Sequence, residues 1–301
     1  MKSHLEWPEE KAGRSRDFFQ WSHPGSNICL DFHGDPVKAQ LIVFSDGNHH
    51  MALRECLDLF AHQNENLSDI FYVTTPPGPI VNMLKTGGLQ LGNLSINVKP
   101  HVFISPPNIL DGLINEGFMS EHIPFVQNRG NVLLVKKGNP KHISEAADIL
   151  AENIRLFMSH PDKEKASYSA YYNTLKVLVS EQNTNTEFLQ DKISRGQVVF
   201  GEYIHHREAP QAVADGSVDV AIVFYHLALR YVRIFPDNFD IVPLGGSVNA
   251  PIPLPGNIVG ETSIGLIGDG GVWGSKLLKF LISNEAMEIY ENHGLRSSLT
   301  M

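Results

Sequence analysis

Two pairs of adjacent histidines, His49-His50 and His205-His206, stand out among the fourteen histidines of this 301-residue chain. Imidazole combined with carboxylate is the ligand set of zinc, nickel, copper or iron, and Asp46 lies just ahead of the first pair. Successive side chains of an extended segment point to opposite faces. One histidine of each pair would therefore ligate, and the other would pack or hydrogen-bond. The plainer alternative is that loop histidines are solvated or capping groups, and that Asp46 and Asn48 are ordinary helix N-caps. Thr74, Thr75 and Gly78 form a second polar group, a turn that would present N–H groups to a ligand of either charge. Arg207-Glu208 reads as an ion pair at a helix start or as an arginine offered to an anion. Tyr168, Tyr171 and Tyr172 are spaced as one helix face packed on a core.

These residues sit in polar loops between apolar runs. Gln40–Phe44 predicts a buried strand, followed by a loop at Ser45–His50 and a helix over about Met51–His62, with Leu53, Leu57 and Phe60 on one face. Strands are also expected at Ile70–Val73, His101–Ile104, Asn131–Val135, Ile154–Met158, Gln197–Phe200 and Val218–Phe224. Helices are expected near Ser144–Ala151 and Tyr168–Val179, and in the last thirty residues. Alternation of strand, polar loop and helix predicts an α/β fold with mostly parallel sheets and helices on both faces. In such sheets the loops after the strands' carboxyl ends gather where ligands bind.

Composition narrows the function. Hydrophobic residues make up 42% and charged residues 19%, the balance of a folded protein with a real core. A net charge of -9 without basic blocks argues against a nucleic-acid partner. The two cysteines, Cys29 and Cys56, form no Cys-x-x-Cys motif, so no structural zinc or redox site is expected. The first residues are charged where an export signal needs an apolar core. As written, that implies a cytoplasmic protein, or an extracytoplasmic one whose signal has been removed. No window approaches the ~20 apolar residues of a membrane helix.

Several segments together resemble the type 2 periplasmic solute-binding superfamily, most closely its molybdate-binding branch. They are Leu41–His50, Lys99–Ser105, Gln127–Pro140, Asp215–Phe224 and Leu278–Ala286, in family order. The resemblance implies a two-lobed fold with a ligand cleft between lobes. Residues 1–40 would be an N-terminal extension, 41–130 plus 245–301 a discontinuous first lobe, and 131–244 the second lobe.

The resemblance further implies a non-enzymatic protein that captures a small ion by lobe closure, for ABC-type transport with a membrane permease as partner. A monomer needing no cofactor is expected, with a metal ion or oxyanion as ligand. The implied ligand residues are Ser45, Asp46, Gly47, Asn48, His49, Thr74, Thr75, Gly78, Ala166, Ser167, His205, His206, Arg207, Phe224 and Tyr225. Oxyanion sites of this branch use hydroxyls and N–H groups, yet here Asp46 and the histidine pairs occupy the loops. A transition-metal cation held by Asp46, His49 or His50 with His205 or His206 is therefore expected ahead of a molybdate- or tungstate-type oxyanion. A cytosolic ligand sensor is the alternative. So is an enzyme of the thiamine-pyrimidine-synthase type, whose cysteine-rich motif this chain lacks.

Overall fold

A computed structural model describes residues 5–6, 32–91, 94–180, 187–202 and 204–298. Cys29, most of the expected 1–40 extension and the side chain of Asn48 lie outside that description.

The chain first forms β1 (Phe32–His33), β2 (Leu41–Ser45), a 3-10 turn at Gly47–His49 and α1 (His50–Gln63). Next come β3 (Ile70–Thr74), α2 (Pro77–Thr86), a hairpin of β4 (Leu89–Leu91) and β5 (Leu94–Ile96), β6 (Val102–Ser105), α3 (Pro107–Asn115) and β7 (His122–Gln127). A second series holds β8 (Asn131–Lys136), β9 (Leu156–Met158), α4 (Lys165–Ser180), α5 (Phe188–Ser194) and β10 (Val198–Phe200). It continues through α6 (His205–Ala214), β11 (Val220–Phe224), α7 (Tyr225–Ile234) and β12 (Phe239–Pro243). The chain closes with β13 (Glu261–Leu266), α8 (Gly271–Leu281), α9 (Asn284–Asn292) and β14 (Arg296–Ser297).

Contacts divide the described chain into two compact units, 32–127 with 261–298, and 128–260 with Leu5 and Glu6. Each has its own sheet. In the first unit the order is β1-β3-β2-β6-β13-β7-β14, with β3, β2 and β6 parallel and the rest antiparallel. In the second it is β10-β9-β11-β8-β12, with β10, β9 and β11 parallel. The sheets are thus mixed rather than mostly parallel. Only strands joined through helical crossovers run parallel, whereas β8 and β12 in one sheet and β13 and β7 in the other pair head to tail.

Both faces of the first sheet are covered, which is why its central strands read as unbroken apolar runs. Alternation along β2 sends Leu41 and Val43 to a core with Leu53, Leu57, Phe60, Leu277 and Tyr290. Ile42 and Phe44 go to the opposite core with Ile80, Met83, Leu110 and Leu113. Each such side chain contributes about 1.5–3 kcal/mol by leaving water.

The described part of the expected extension is not loose. β1 pairs antiparallel with β3, and Leu5 is buried in the core of the second unit with its N–H donating to Gln211 Oε1 at 3.0 Å. The expected helix at Ser144–Ala151 is a 3-10 turn, Ala146–Leu150. α4 starts earlier than expected and takes Ala166 and Ser167 into its first turn.

The Gly- and Pro-rich segment 245–260, expected in the first lobe, packs with the second unit. A buried polar clip is the cause. Asn257 Oδ1 accepts from the Asn131 N–H at 2.8 Å, and Asn257 Nδ2 donates to the carbonyls of Asn131 at 2.9 Å and Leu244 at 3.2 Å. Thr174 Oγ1 accepts from Asn131 Nδ2 at 2.7 Å and from the Ile258 N–H at 3.0 Å. Gly130 fits beside it at φ +77°, where a Cβ would lie 3.0 Å from Asn257 Cγ.

Candidate functional site

In the first unit the parallel strands β3, β2 and β6 end on Thr74, Ser45 and Ser105, all buried. Ser45 is in register with Thr74 and with Ile104, so Ser45 and Thr74 share the face covered by α1. Ser105 is in register with the buried Ser263 and lies on the other face, under α2 and α3.

On the α1 face the expected ligands are spent on one another. His49 is buried, with Nε2 3.1 Å from Ser45 Oγ and Nδ1 3.0 Å from the hydroxyl of Tyr290. Burial holds the His49 imidazole below its usual pKa, against the upward pull of the Asp46 carboxylate. That carboxylate, also buried, lies beside it with Oδ1 3.8 Å from Nε2. Ser45 has one hydroxyl hydrogen and two internal acceptors in reach, the Asp46 carbonyl at 2.9 Å and His49 Nε2. His50 Nδ1 meets the Gly47 carbonyl at 2.9 Å. The Thr75 N–H donates to the Ser45 carbonyl at 3.1 Å and the Asp46 N–H to that of Ile104 at 3.0 Å. Ser45, Asp46, Gly47, His49, Thr74 and Thr75 are therefore brought together, as a structural cluster.

The α2/α3 face differs. Ser105 Oγ is fully buried and has no hydrogen-bond partner. Such a group costs about 1–3 kcal/mol while it remains unpaired. α2 opens Pro77-Gly78-Pro79, so among these three residues only Gly78 carries an N–H, and helix geometry gives that N–H no acceptor within the helix; nothing lies within 4 Å of where a Cβ on Gly78 would stand. α3 opens with Pro107-Asn108, leaving the Asn108 N–H in the same situation.

In the second unit β9, β10 and β11 lead to Ser159, Gly201 and Tyr225. Ser159 Oγ is buried without a partner, and so is Nε2 of His205, the first residue of α6. Burial alone pushes the His205 imidazole down to about 3. Its ring packs on Tyr171 at 4.9 Å and Phe157 at 5.6 Å between centroids. The Glu164 carboxylate, raised chiefly by its own burial, accepts the His205 N–H at 3.2 Å. Glu208 accepts the N–H groups of Glu202 at 3.0 Å and Ile204 at 2.8 Å. Phe224 and Tyr225 are buried here, His206 is half-buried, and Arg207 and Ala166 are exposed. Ser167 donates to the Glu164 carbonyl at 3.1 Å.

Among the described residues no group of three or more His, Cys, Asp or Glu side chains gathers as a metal site. Cys56 is buried, which pushes its thiol above the usual range. Tyr290, Ser105, Ser159 and Glu164 were not singled out from the sequence. For Ser105 a signal existed, because each parallel strand of the first sheet closes on a hydroxyl residue just before its loop. Nothing local marks Tyr290. A small surface pocket of about 30 Å³ beside Leu57, Leu67, Ile70 and Tyr72 lies near the amino end of β3, away from these loops.

Comparison with known proteins agrees with this architecture. Among solved structures, the periplasmic molybdate-binding protein of Azotobacter vinelandii aligns with TM-score 0.54 and 14% identity, over 87% of this chain and 100% of its own. The sulfate-binding protein SubI of Mycobacterium tuberculosis aligns with TM-score 0.59 and 14% identity, over 86% of each chain. Iron-bound HitA of Pseudomonas aeruginosa aligns with TM-score 0.56 and 13% identity, over 86% of this chain and 84% of its own. These likenesses establish the type 2 periplasmic binding protein fold. No curated protein matches by sequence, and among the described residues no helix is long and apolar enough to cross a membrane. The model of one family spans residues 41–296, and the chain belongs to that family, the bacterial extracellular solute-binding proteins.

Proposed function

We propose that the chain captures a small solute bearing an anionic oxygen group, for delivery to an ABC-type membrane permease. Ser105 Oγ and the N–H groups of Gly78 and Asn108 would hold that group. The single observation that carries this reading is the buried, partnerless Ser105 hydroxyl at a parallel strand end, next to two proline-started helices. Neutral donors of this kind suit a desolvated anion, which they stabilise without a counter-charge. Two of the similar structures are a molybdate-binding and a sulfate-binding protein, and this supports the choice.

The cation reading finds less support. Both ring nitrogens of His49 already face internal partners, and a metal would have to break both bonds to use it. The iron-bound relative keeps a metal in the comparison. Calorimetry with molybdate, sulfate, small carboxylates and zinc tests the choice. Saturable binding of an anionic solute, weakened at least tenfold by Ser105→Ala, is expected. Tight zinc binding lost in His49→Ala, with no anionic solute bound, would sink it.

A further inference from the structure

We infer that Ser263 is a second hydroxyl ligand for the anionic group assigned to Ser105, so that serines of two adjacent strands grip two oxygens of one oxyanion. This rests on the proposed capture of that group at Ser105, and every residue involved belongs to the unit formed by 32–127 with 261–298.

Strand register brings the two hydroxyls together. Ser263 of β13 is the antiparallel partner of Ser105 of β6. Residues so paired have Cα atoms about 4.5–5.5 Å apart and side chains on one face of the sheet. Both serines are buried, and the face beneath them is apolar. Phe103, two residues before Ser105, lies in the core with Leu110 and Met119. Gly265, two residues after Ser263, has no side chain, and Met119 occupies the space: a Cβ there would stand 3.0 Å from Met119 Cε. Ser105 Oγ has no hydrogen-bond partner, and these apolar side chains leave the strand ends as the direction in which the pair bonds.

The row continues on β7, where it meets solvent. Pro124 is the partner of Ser263 on its other side and is exposed. β7 carries one extra residue here, because the register moves from Thr262 opposite Val126 to Ser263 opposite Pro124. The extra residue, Phe125, goes to the opposite core. Bulges of this kind re-aim side chains beside binding sites, and they are among the few places a sheet admits proline.

α3 packs across β6, β13 and β7, and it starts just beyond Ser105, with the Asn108 N–H in its first turn. Ser105, Ser263 and Asn108 thus supply neutral donors from neighbouring positions. Asp111, further along α3, is engaged by His122, whose Nε2 lies 3.0 Å from its Oδ1. Each serine has one hydroxyl hydrogen to donate. Two such hydrogens from adjacent strands match two oxygens of a carboxylate, sulfate or molybdate, and not a single-atom anion.

The test is calorimetry of the full chain with lactate, sulfate, molybdate and chloride. At least one of the three oxyanions is expected to bind ten times more tightly than chloride. Ser263→Ala should weaken it at least fivefold, and by a factor within threefold of that for Ser105→Ala, with unchanged circular dichroism verifying the fold. Should the alanine variant lose its fold, Ser263→Cys, which nearly keeps the volume and donates only weakly, is read instead. An oxyanion weakened by Ser105→Ala but unmoved by the folded Ser263 variant overturns the inference and leaves the Ser105 site standing. Failure of all three oxyanions, chloride bound as tightly as any of them, or indifference of the bound probe to Ser105→Ala removes the anionic-group reading and this inference with it.

Discussion

The hydroxyl of Tyr290 lies 3.0 Å from Nδ1 of His49, joining the last helix of the first unit to the turn that follows β2. The contact crosses 241 positions of sequence and leaves the imidazole bridged between Tyr290 and Ser45. Tyr290→Phe removes the hydroxyl and leaves Nδ1 buried without a partner. The expected loss is about 1–3 kcal/mol of stability, read as a lower urea midpoint with an unchanged slope.

Acid should weaken the fold through His205. Its folded value is about 3, against roughly 6.5 in an unfolded chain. Between those values the unfolded state binds a proton that the folded state refuses. Stability is therefore full above about pH 6.5 and declines as pH falls towards 3. From pH 7 to pH 5 this one group should remove about 2 kcal/mol. Urea unfolding at both pH values, compared with His205→Gln, checks it: the variant should lose that much less on acidification.

The clip that keeps 245–260 on the second unit depends on Asn257. Asn257→Ala abandons its bonds to Asn131 and Leu244 and should cost about 2–3 kcal/mol. Gly130→Ala should destabilise as well, by about 1–2 kcal/mol from the left-handed backbone alone, and more from the crowding against Asn257 and Pro253. Thermal melts of the two variants and their double mutant should show less than additive losses, because both act on one contact.

Ser105→Ala separates binding from folding. Ser105 Oγ has no partner to lose, so its removal should leave stability unchanged or slightly raised, while solute affinity falls. Ser45→Ala should do the reverse, lowering stability by about 1 kcal/mol, since its hydroxyl bonds within the chain. Paired unfolding and titration curves for the two variants distinguish a ligand group from a structural one.

Much of the architecture was legible because it is written in local pattern. The run Leu41–Ser45, buried throughout, announces a strand covered on both faces. The spacing of Leu53, Leu57 and Phe60 announces the face of α1 that is indeed buried. The polar loops behind the strands followed from the same alternation. Register was not legible. Which strands run antiparallel depends on pairings such as Ser263 with Ser105, made between residues far apart in sequence.

The histidines mark the limit most clearly. Residue type alone allows His49 to be a metal ligand, a cap or a core group, and its neighbours in sequence do not choose among them. The choice was made by Tyr290, which reaches it only after the chain has returned from the second unit. Sequence by itself determined the α/β elements, the loops behind them and the family, since these depend on periodicity and on order along the chain. Tertiary structure alone decided which polar groups are paired and which are left over, Ser45 and His49 among the first, Ser105, Ser159 and His205 Nε2 among the second. Hydrogen bonding is satisfied by proximity in space, and a buried group's partner can come from any part of the chain.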